Sequence, residues 1–191
     1  MTDDKQFKLP FESGFVRLLS VEDIYNSNSP DLFKILQEDR RIERKSAGIH
    51  AKGLAEYIGM WANTAPNGGL IAVGLANDGK IEGTLGFGVE HINNLERTGD
   101  IHCPDARYET KRLVCTKNGK QDELILFRVF YNEKKLIKTS DGKVFVRRGG
   151  SKRELKGEEL RELQIDKGEV AWEQEDSLLR YPDAFDAKSN L

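Results

Sequence analysis

Cysteine is nearly missing from this chain: Cys103 and Cys115 are the only two among 191 residues. That is too few for a disulfide framework and fits a reducing compartment. His102-Cys103 sets two metal-binding residue types side by side. No second pair stands at ligand spacing, which argues against zinc. The start, Met1-Thr2-Asp3-Asp4-Lys5, lacks the basic and then apolar run of a secretion signal. No apolar stretch nears the ~20 residues that a membrane span needs. A cytoplasmic protein with no membrane attachment is therefore expected. An excess of one charge is missing too, since 30 Lys and Arg face 32 Asp and Glu for a net charge of −2. A broadly cationic nucleic-acid binder is excluded, so any polyanion must meet a local patch. There is also no glycine run closing in Gly-Lys-Ser/Thr, and hence no P-loop and no predicted ATP hydrolysis. Internal repeats and low-complexity segments are absent as well.

What is present is enough length to bury a substantial core in one domain. The pattern divides into an N-terminal extension over 1–29, a domain over 30–168 and a tail or following region over 169–191. Val21–Tyr25 is a short helical candidate. A helix of about two turns starts at Pro30, carries Leu32, Phe33, Ile35 and Leu36, and ends near Glu38. Around Ile42 charges alternate with an apolar residue as in a short strand. His50–Thr64 places Leu54, Tyr57, Ile58, Trp61 and Ala62 at helical intervals before Pro66 and Gly68-Gly69. Leu70–Leu75 is continuously apolar, as a strand covered on both faces requires. Asn77-Asp78-Gly79 turns it into a hairpin with Lys80–Thr84. A helix through Val89, Ile92 and Leu95 ends at Gly99. Strands follow at Tyr108–Thr116 and Leu124–Phe130, and another pair, Lys135–Thr139 and Lys143–Arg148, flanks Asp141-Gly142. A final helix spans Gly157–Asp166, and the tail, with Trp172, is expected to pack partly and then fray.

Two groups of residues carry candidate chemistry. Glu38 and Glu43 are five apart and converge only if the backbone changes from helix to strand between them. Glu43 and Lys45 share a strand face, an arrangement able to hold a divalent cation and orient a water for phosphodiester attack. The plainer alternative is a solvated charged strand with weak internal pairs. Tyr57 and Trp61 lie in a stripe with Leu54 and Ile58, which favours core over a base-stacking platform. The second group is Val144-Phe145-Val146-Arg147-Arg148-Gly149-Gly150-Ser151-Lys152-Arg153. There a strand delivers arginines into a glycine loop, where backbone and planar guanidinium groups can meet a phosphate. Lys111, Arg112, Lys117 and Lys120 would extend that surface if the sheet aligns them. The alternative is a solvated hairpin end.

Taken in order, Glu-x4-Glu-x-Lys at 38–45, Trp61-Ala62-Asn63-Thr64 before Gly68-Gly69, Ala72-Val73-Gly74-Leu75-x-Asn77-Asp78-Gly79 before Ile81-x-Gly83, and Val144-Phe145-Val146-Arg147-Arg148-Gly149 form a series. It resembles the Schlafen AlbA domain over about residues 32–163. The resemblance implies an α+β fold with mixed, largely antiparallel sheets and packed helices. It implies nucleic-acid binding, described for bacterial members as DNA binding in transcriptional regulators. In animal relatives it implies a metal-dependent endoribonuclease that cuts structured RNA such as tRNA with two glutamates and an aspartate. Glu38 and Glu43 fall on those glutamates, and the aspartate falls on Asn77, with Asp78 its neighbour. Asparagine brings a neutral oxygen, so a Mg²⁺ or Mn²⁺ held by Glu38, Glu43 and Asn77 would be bound more weakly unless Asp78 turns inward. Bacterial members commonly carry further domains, so a region beyond Leu191 is expected.

Three expectations result. The leading one is a DNA- or RNA-binding module whose Arg147, Arg148, Lys152 and Arg153 hold phosphates. The second is a Mg²⁺- or Mn²⁺-dependent endoribonuclease using Glu38, Glu43, Lys45 and Asp78. The third is a protein-interaction or oligomerisation domain with a decayed site, and homodimerisation stays open.

Overall fold

Ser20 accepts the N–H of Asp23 while the Asp23 carboxylate takes the Ser20 N–H, and this reciprocal cap opens the helix α1 (Val21–Asn26). The computed structural model describes residues 19–170. Pro30 begins α2 (Pro30–Ile35), its fixed φ suiting a first helical position. The chain then runs through β1 (Ile42–Lys45), α3 (Ala51–Ala62) and β2 (Gly69–Val73). Because α3 crosses from one end of the sheet to the other, β1 and β2 pair in parallel, with Glu43 opposite Ile71 and Arg44 opposite Ala72. After α4 (Val89–Glu96) and α5 (Thr98–His102), β3 (Tyr108–Lys117) and β4 (Lys120–Val129) form a long hairpin. Its two-residue turn uses positive φ at Asn118 and Gly119, which matches the twist of the paired strands. β4 pairs antiparallel with β2, giving a mixed four-stranded sheet ordered β1-β2-β4-β3. β5 (Val144–Arg148) and β6 (Ser151–Leu155) make a separate two-stranded sheet, followed by α6 (Gly157–Asp166).

Every residue of β2 is buried, as its unbroken apolar run demands. Ile71 and Val73 point with Ile125, Phe127 and Val129 toward α3, where Leu54, Ile58 and Trp61 complete one core. Leu70 and Ala72 point the other way, with Leu124 and Leu126, onto Val21, Ile24 and Phe33. Hiding each such large side chain contributes about 1.5–3 kcal/mol. A third small core, Leu136, Val144, Val146 and Leu155 with Leu160 and Leu163, seats the β5–β6 sheet on α6. The architecture is α+β, with one parallel and otherwise antiparallel pairing.

Several local expectations are corrected. α2 stops at Ile35 rather than near Glu38, because Leu36 is already extended. The hairpin at Asn77-Asp78-Gly79 shrinks to one bridge, Leu75 with Ile81. Beyond it the Thr84 N–H turns to the Asp122 carboxylate instead of a neighbouring strand. Gly99 lies inside α5, not past a helix end, and the Tyr108 ring lies where a Cβ on Gly99 would sit. Residues 143–148 do not pair with 135–139 as a strand ladder. The Asn63 side chain accepts from the Ile137 N–H and donates to the carbonyls of Ile137 and Phe145, so those groups are taken. β5 pairs instead with β6, a strand the sequence reading passed over. The expected fraying tail with Trp172, and the first 18 residues, lie outside the described residues.

Candidate functional site

β1 is an edge strand, so alternate residues decide what meets each face of the sheet. Glu43 and Lys45 share the α3 face. The Lys45 ammonium sits 2.7 Å from Glu43 Oε1, and Arg147 of β5 donates to Glu43 Oε2. Both side chains of the Glu43–Arg147 pair are buried, at 9% and 3% exposed. The Arg147 guanidinium lies 5.0 Å from the Trp61 ring centre, and Thr64 Oγ1 accepts the Arg147 N–H at 3.0 Å. Glu38 reaches the free edge of the strand. Its Oε1 accepts the Arg44 N–H at 2.7 Å and lies 3.9 Å from the Lys45 ammonium. Glu38 and Glu43 are thus brought together through Lys45, by the helix-to-strand change between them.

Arg44 projects from the opposite face. It is buried and donates to the carbonyls of Asn77, Phe33 and Leu36, tying the turn after β2 to α2. Asn77 is held here through its backbone oxygen. Asp78 accepts the Lys80 N–H at 2.9 Å and, with Glu38, Arg44 and Asn77, lines a cavity of about 420 Å³. Glu43 is not part of that lining, because β1 sends it to the other side.

This arrangement does not fit a divalent cation on Glu38, Glu43, Asn77 and Asp78. Both Glu43 oxygens already face cationic side chains, and Asp78 lies across the strand from it. Among the described residues no group of three or more His, Cys, Asp and Glu gathers as ligands. Cys103 is no metal ligand in waiting either. Burial, with Asp105 adding to it, pushes its thiol up to about 12, so a thiolate is disfavoured.

The glycine loop predicted to bind phosphate is the turn of the β5–β6 hairpin, with Arg147 opposite Lys152 and Arg148 opposite Ser151. Its four cations divide by exposure. Arg147 is buried on Glu43, and Lys152 is held by Glu56 with its ammonium 4.2 Å from the Tyr57 ring centre. Lys45 lies 4.4 Å from the same ring. Arg148 and Arg153 stay about half exposed, at 50% and 52%, and share one carboxylate, Glu159 of α6. Lys111 and Arg112 do not extend this surface, since they are spent on α1-side carbonyls and on Glu96.

The sequence reading assigned no part in the site to Glu56 or Glu159, and none to Thr64 or Arg44 beyond their place in the motifs. Gly149-Gly150 flanked by alternating strand residues was the available signal for the β5–β6 pairing and hence for Lys152 beside Arg147. No local signal announces the two glutamates, which arrive from helices distant in sequence.

A family model described as Schlafen, AlbA_2 matches residues 38–156, well over half of the chain. No curated protein matches. Among solved structures, the DIP2311 protein from Corynebacterium diphtheriae aligns at 19% identity with a TM-score of 0.47. That alignment covers 65% of this chain and 24% of the other, so the chain spans about a quarter of that protein's length.

Proposed function

The chain belongs to the Schlafen AlbA_2 family, and on that premise we propose that it is a nucleic-acid-binding module whose phosphate-contacting surface is the open end of the β5–β6 hairpin. The observation that carries this reading is that two half-exposed guanidinium groups, Arg148 and Arg153, converge on the single carboxylate of Glu159. One carboxylate cannot occupy both forks, so part of their donor capacity stays open at the end of a paired ladder, with Glu162 and Asp166 the other acids beside Arg148. Planar guanidinium forks suit phosphate oxygens, and displacing an exposed pair from Glu159 costs little, because such pairs are worth about 0–1 kcal/mol. Arg147 and Lys152 serve from behind by fixing the hairpin to β1 and α3.

The test is binding of DNA and RNA across a salt series. Arg148→Ala with Arg153→Ala is expected to weaken binding and to flatten the log–log salt slope by about 2, close to one unit per lost phosphate contact. Binding and slope unchanged in that double variant would refute this surface.

Cleavage of structured RNA with Mg²⁺ or Mn²⁺ asks more of the same residues. Glu43 would have to leave Lys45 and Arg147, and Asp78 would have to come around the edge of β1. Binding without cutting is the reading the geometry favours. Purified protein incubated with tRNA and manganese separates the two, since cleavage lost in Glu43→Ala would make the enzymatic reading the correct one. A low-salt shift assay that stays blank with DNA and RNA would instead favour a protein-interaction domain.

A further inference from the structure

The two edges of the four-stranded sheet are finished differently. β1 is only four residues long, and Glu38 takes the outward N–H of Arg44. β3, at the other edge, runs for ten residues with no proline and no bulge in its one-to-one pairing with β4. Lys117 and Lys120 close the two-residue turn, and the Phe130 N–H meets the Arg107 carbonyl, so the odd-numbered residues of β3 bond inward to β4. Thr110, Arg112, Val114 and Thr116 therefore turn their main-chain N–H and C=O groups outward. All four residues are exposed, Val114 at 55%, and among the described residues nothing hydrogen-bonds to those groups. The segment from Tyr25 to Asn28 passes beside the strand, but its hydrogen bonds there go to the Lys111 ammonium alone. A long unprotected edge is a template for another strand, which natural sheets usually blunt.

The sequence of β3 says which strand fits. Outward groups of two antiparallel copies meet only when even-numbered residues face even-numbered ones, which puts the two-fold axis at a residue. An axis at Lys111 or Arg112 sets that cation against its own copy, and an axis at Val114 sets Lys111 against Lys117. Axes nearer the strand ends pair fewer residues. At Leu113 the facing residues are complementary: Glu109 meets Lys117, Thr110 meets Thr116, and Arg112 meets Val114. Opposite charges and threonine pairs directly across an antiparallel ladder stabilise it, while like charges there weaken it. Neither Glu109 nor Lys117 is in an ion pair among the described residues, so both are available.

We infer that the outer edge of β3 binds a second copy of this chain, antiparallel and about an axis at Leu113, so that two four-stranded sheets become one. The edge of β1 is capped by Glu38, which ends the growth there and closes the assembly as a dimer. This inference is independent of the nucleic-acid reading, since it uses neither β5 nor β6. A single strand pair buries less than the roughly 1,000 Å² of a firm interface, so the dimer is weak and depends on concentration.

The test is sedimentation equilibrium of the full chain from about 1 μM to about 1 mM, the span in which so small an interface associates. Monomer is expected to give way to dimer across it, and the amide protons of Thr110, Arg112, Val114 and Thr116, fast to exchange in dilute solution, are expected to slow at the upper end. Val114→Pro removes an outward N–H and no bond to β4, which is where a strand tolerates proline, and should abolish the dimer. Glu109→Lys sets lysine against Lys117 twice in each dimer and should weaken association on the order of tenfold. Adding Lys117→Glu to it should restore the dimer, with circular dichroism confirming the fold of each variant. A chain that stays monomeric at the upper concentration overturns the inference, as does a dimer indifferent to Glu109→Lys, whose contact then lies elsewhere. Edge amides already protected in the dilute monomer overturn it too, because a segment of the chain itself then covers β3. Should Val114→Pro fail to fold, the charge reversal and its rescue decide alone.

Discussion

Replacing Arg147 with methionine keeps most of the side chain's bulk over Trp61 and removes only the charged fork that meets Glu43. Glu43 would then remain 9% exposed with one cation, Lys45, at 2.7 Å. Breaking a buried ion pair from one side costs about 3–5 kcal/mol, since the other charge is stranded in a poorly polarisable place. Lys45 compensates part of this, being 17% exposed and able to stay on Oε1. The expected cost is therefore about 3 kcal/mol, which for a chain of this size lowers Tm by roughly 6–12 °C. Glu43→Leu combined with Arg147→Met removes both charges and should recover most of that loss, because a well-packed apolar pair is close to neutral against a buried ion pair. Urea and thermal unfolding of the two single variants and the double variant measure the coupling directly. A cost below about 1 kcal/mol for Arg147→Met, or a double variant whose loss equals the sum of the singles, would refute the view that this pair is a buried structural clamp.

Three further outcomes follow from the burial of Asp122, Cys103 and Gly69. Burial pushes the Asp122 carboxyl upward, but the N–H groups of Leu85, Glu123 and Thr84 outweigh this and hold it below its ordinary value. Its contribution is thus fully present above the unfolded carboxyl pKa and is lost as pH falls below that and through the lower folded pKa, so Asp122→Asn should flatten the acid side of a stability–pH curve; an unchanged acid side in unfolding scans would contradict it. Cys103, with its thiol raised to about 12, should resist a thiol reagent at pH 8 in the native protein and react once urea unfolds it; rapid native labelling traced to Cys103 by mass spectrometry would be inconsistent with its burial. At Gly69 a Cβ would run into the Trp61 indole, so Gly69→Ala should cost about 1–3 kcal/mol by denaturant titration, and a neutral result would mean that α3 yields easily.

The helix α3 and the strand β2 were legible because a local period decides them: the apolar stripe of residues 54–62 and the unbroken run at 70–73 each admit one kind of burial. The final helix was legible for a similar reason, with Gly168 at φ +71 closing it where an L side chain would be strained. The pairing of β5 was not, since Asp141-Gly142 and Gly149-Gly150 are both good turns. Asn63, almost eighty residues upstream, decides between them by occupying the backbone groups of Ile137 and Phe145.

The candidate site shows the same division. By itself the sequence determined that Glu43 and Lys45 share a face, that arginines sit beside a glycine turn, and which family the chain resembles, since all of these depend on spacing and residue type. Only the tertiary structure decided that Arg147 is spent on Glu43, that Lys152 meets Glu56, and that Arg148 and Arg153 must share Glu159. The physical reason is that a charge is available to a ligand only after its own neighbours have been counted, and those neighbours come from helices folded in from elsewhere in the chain.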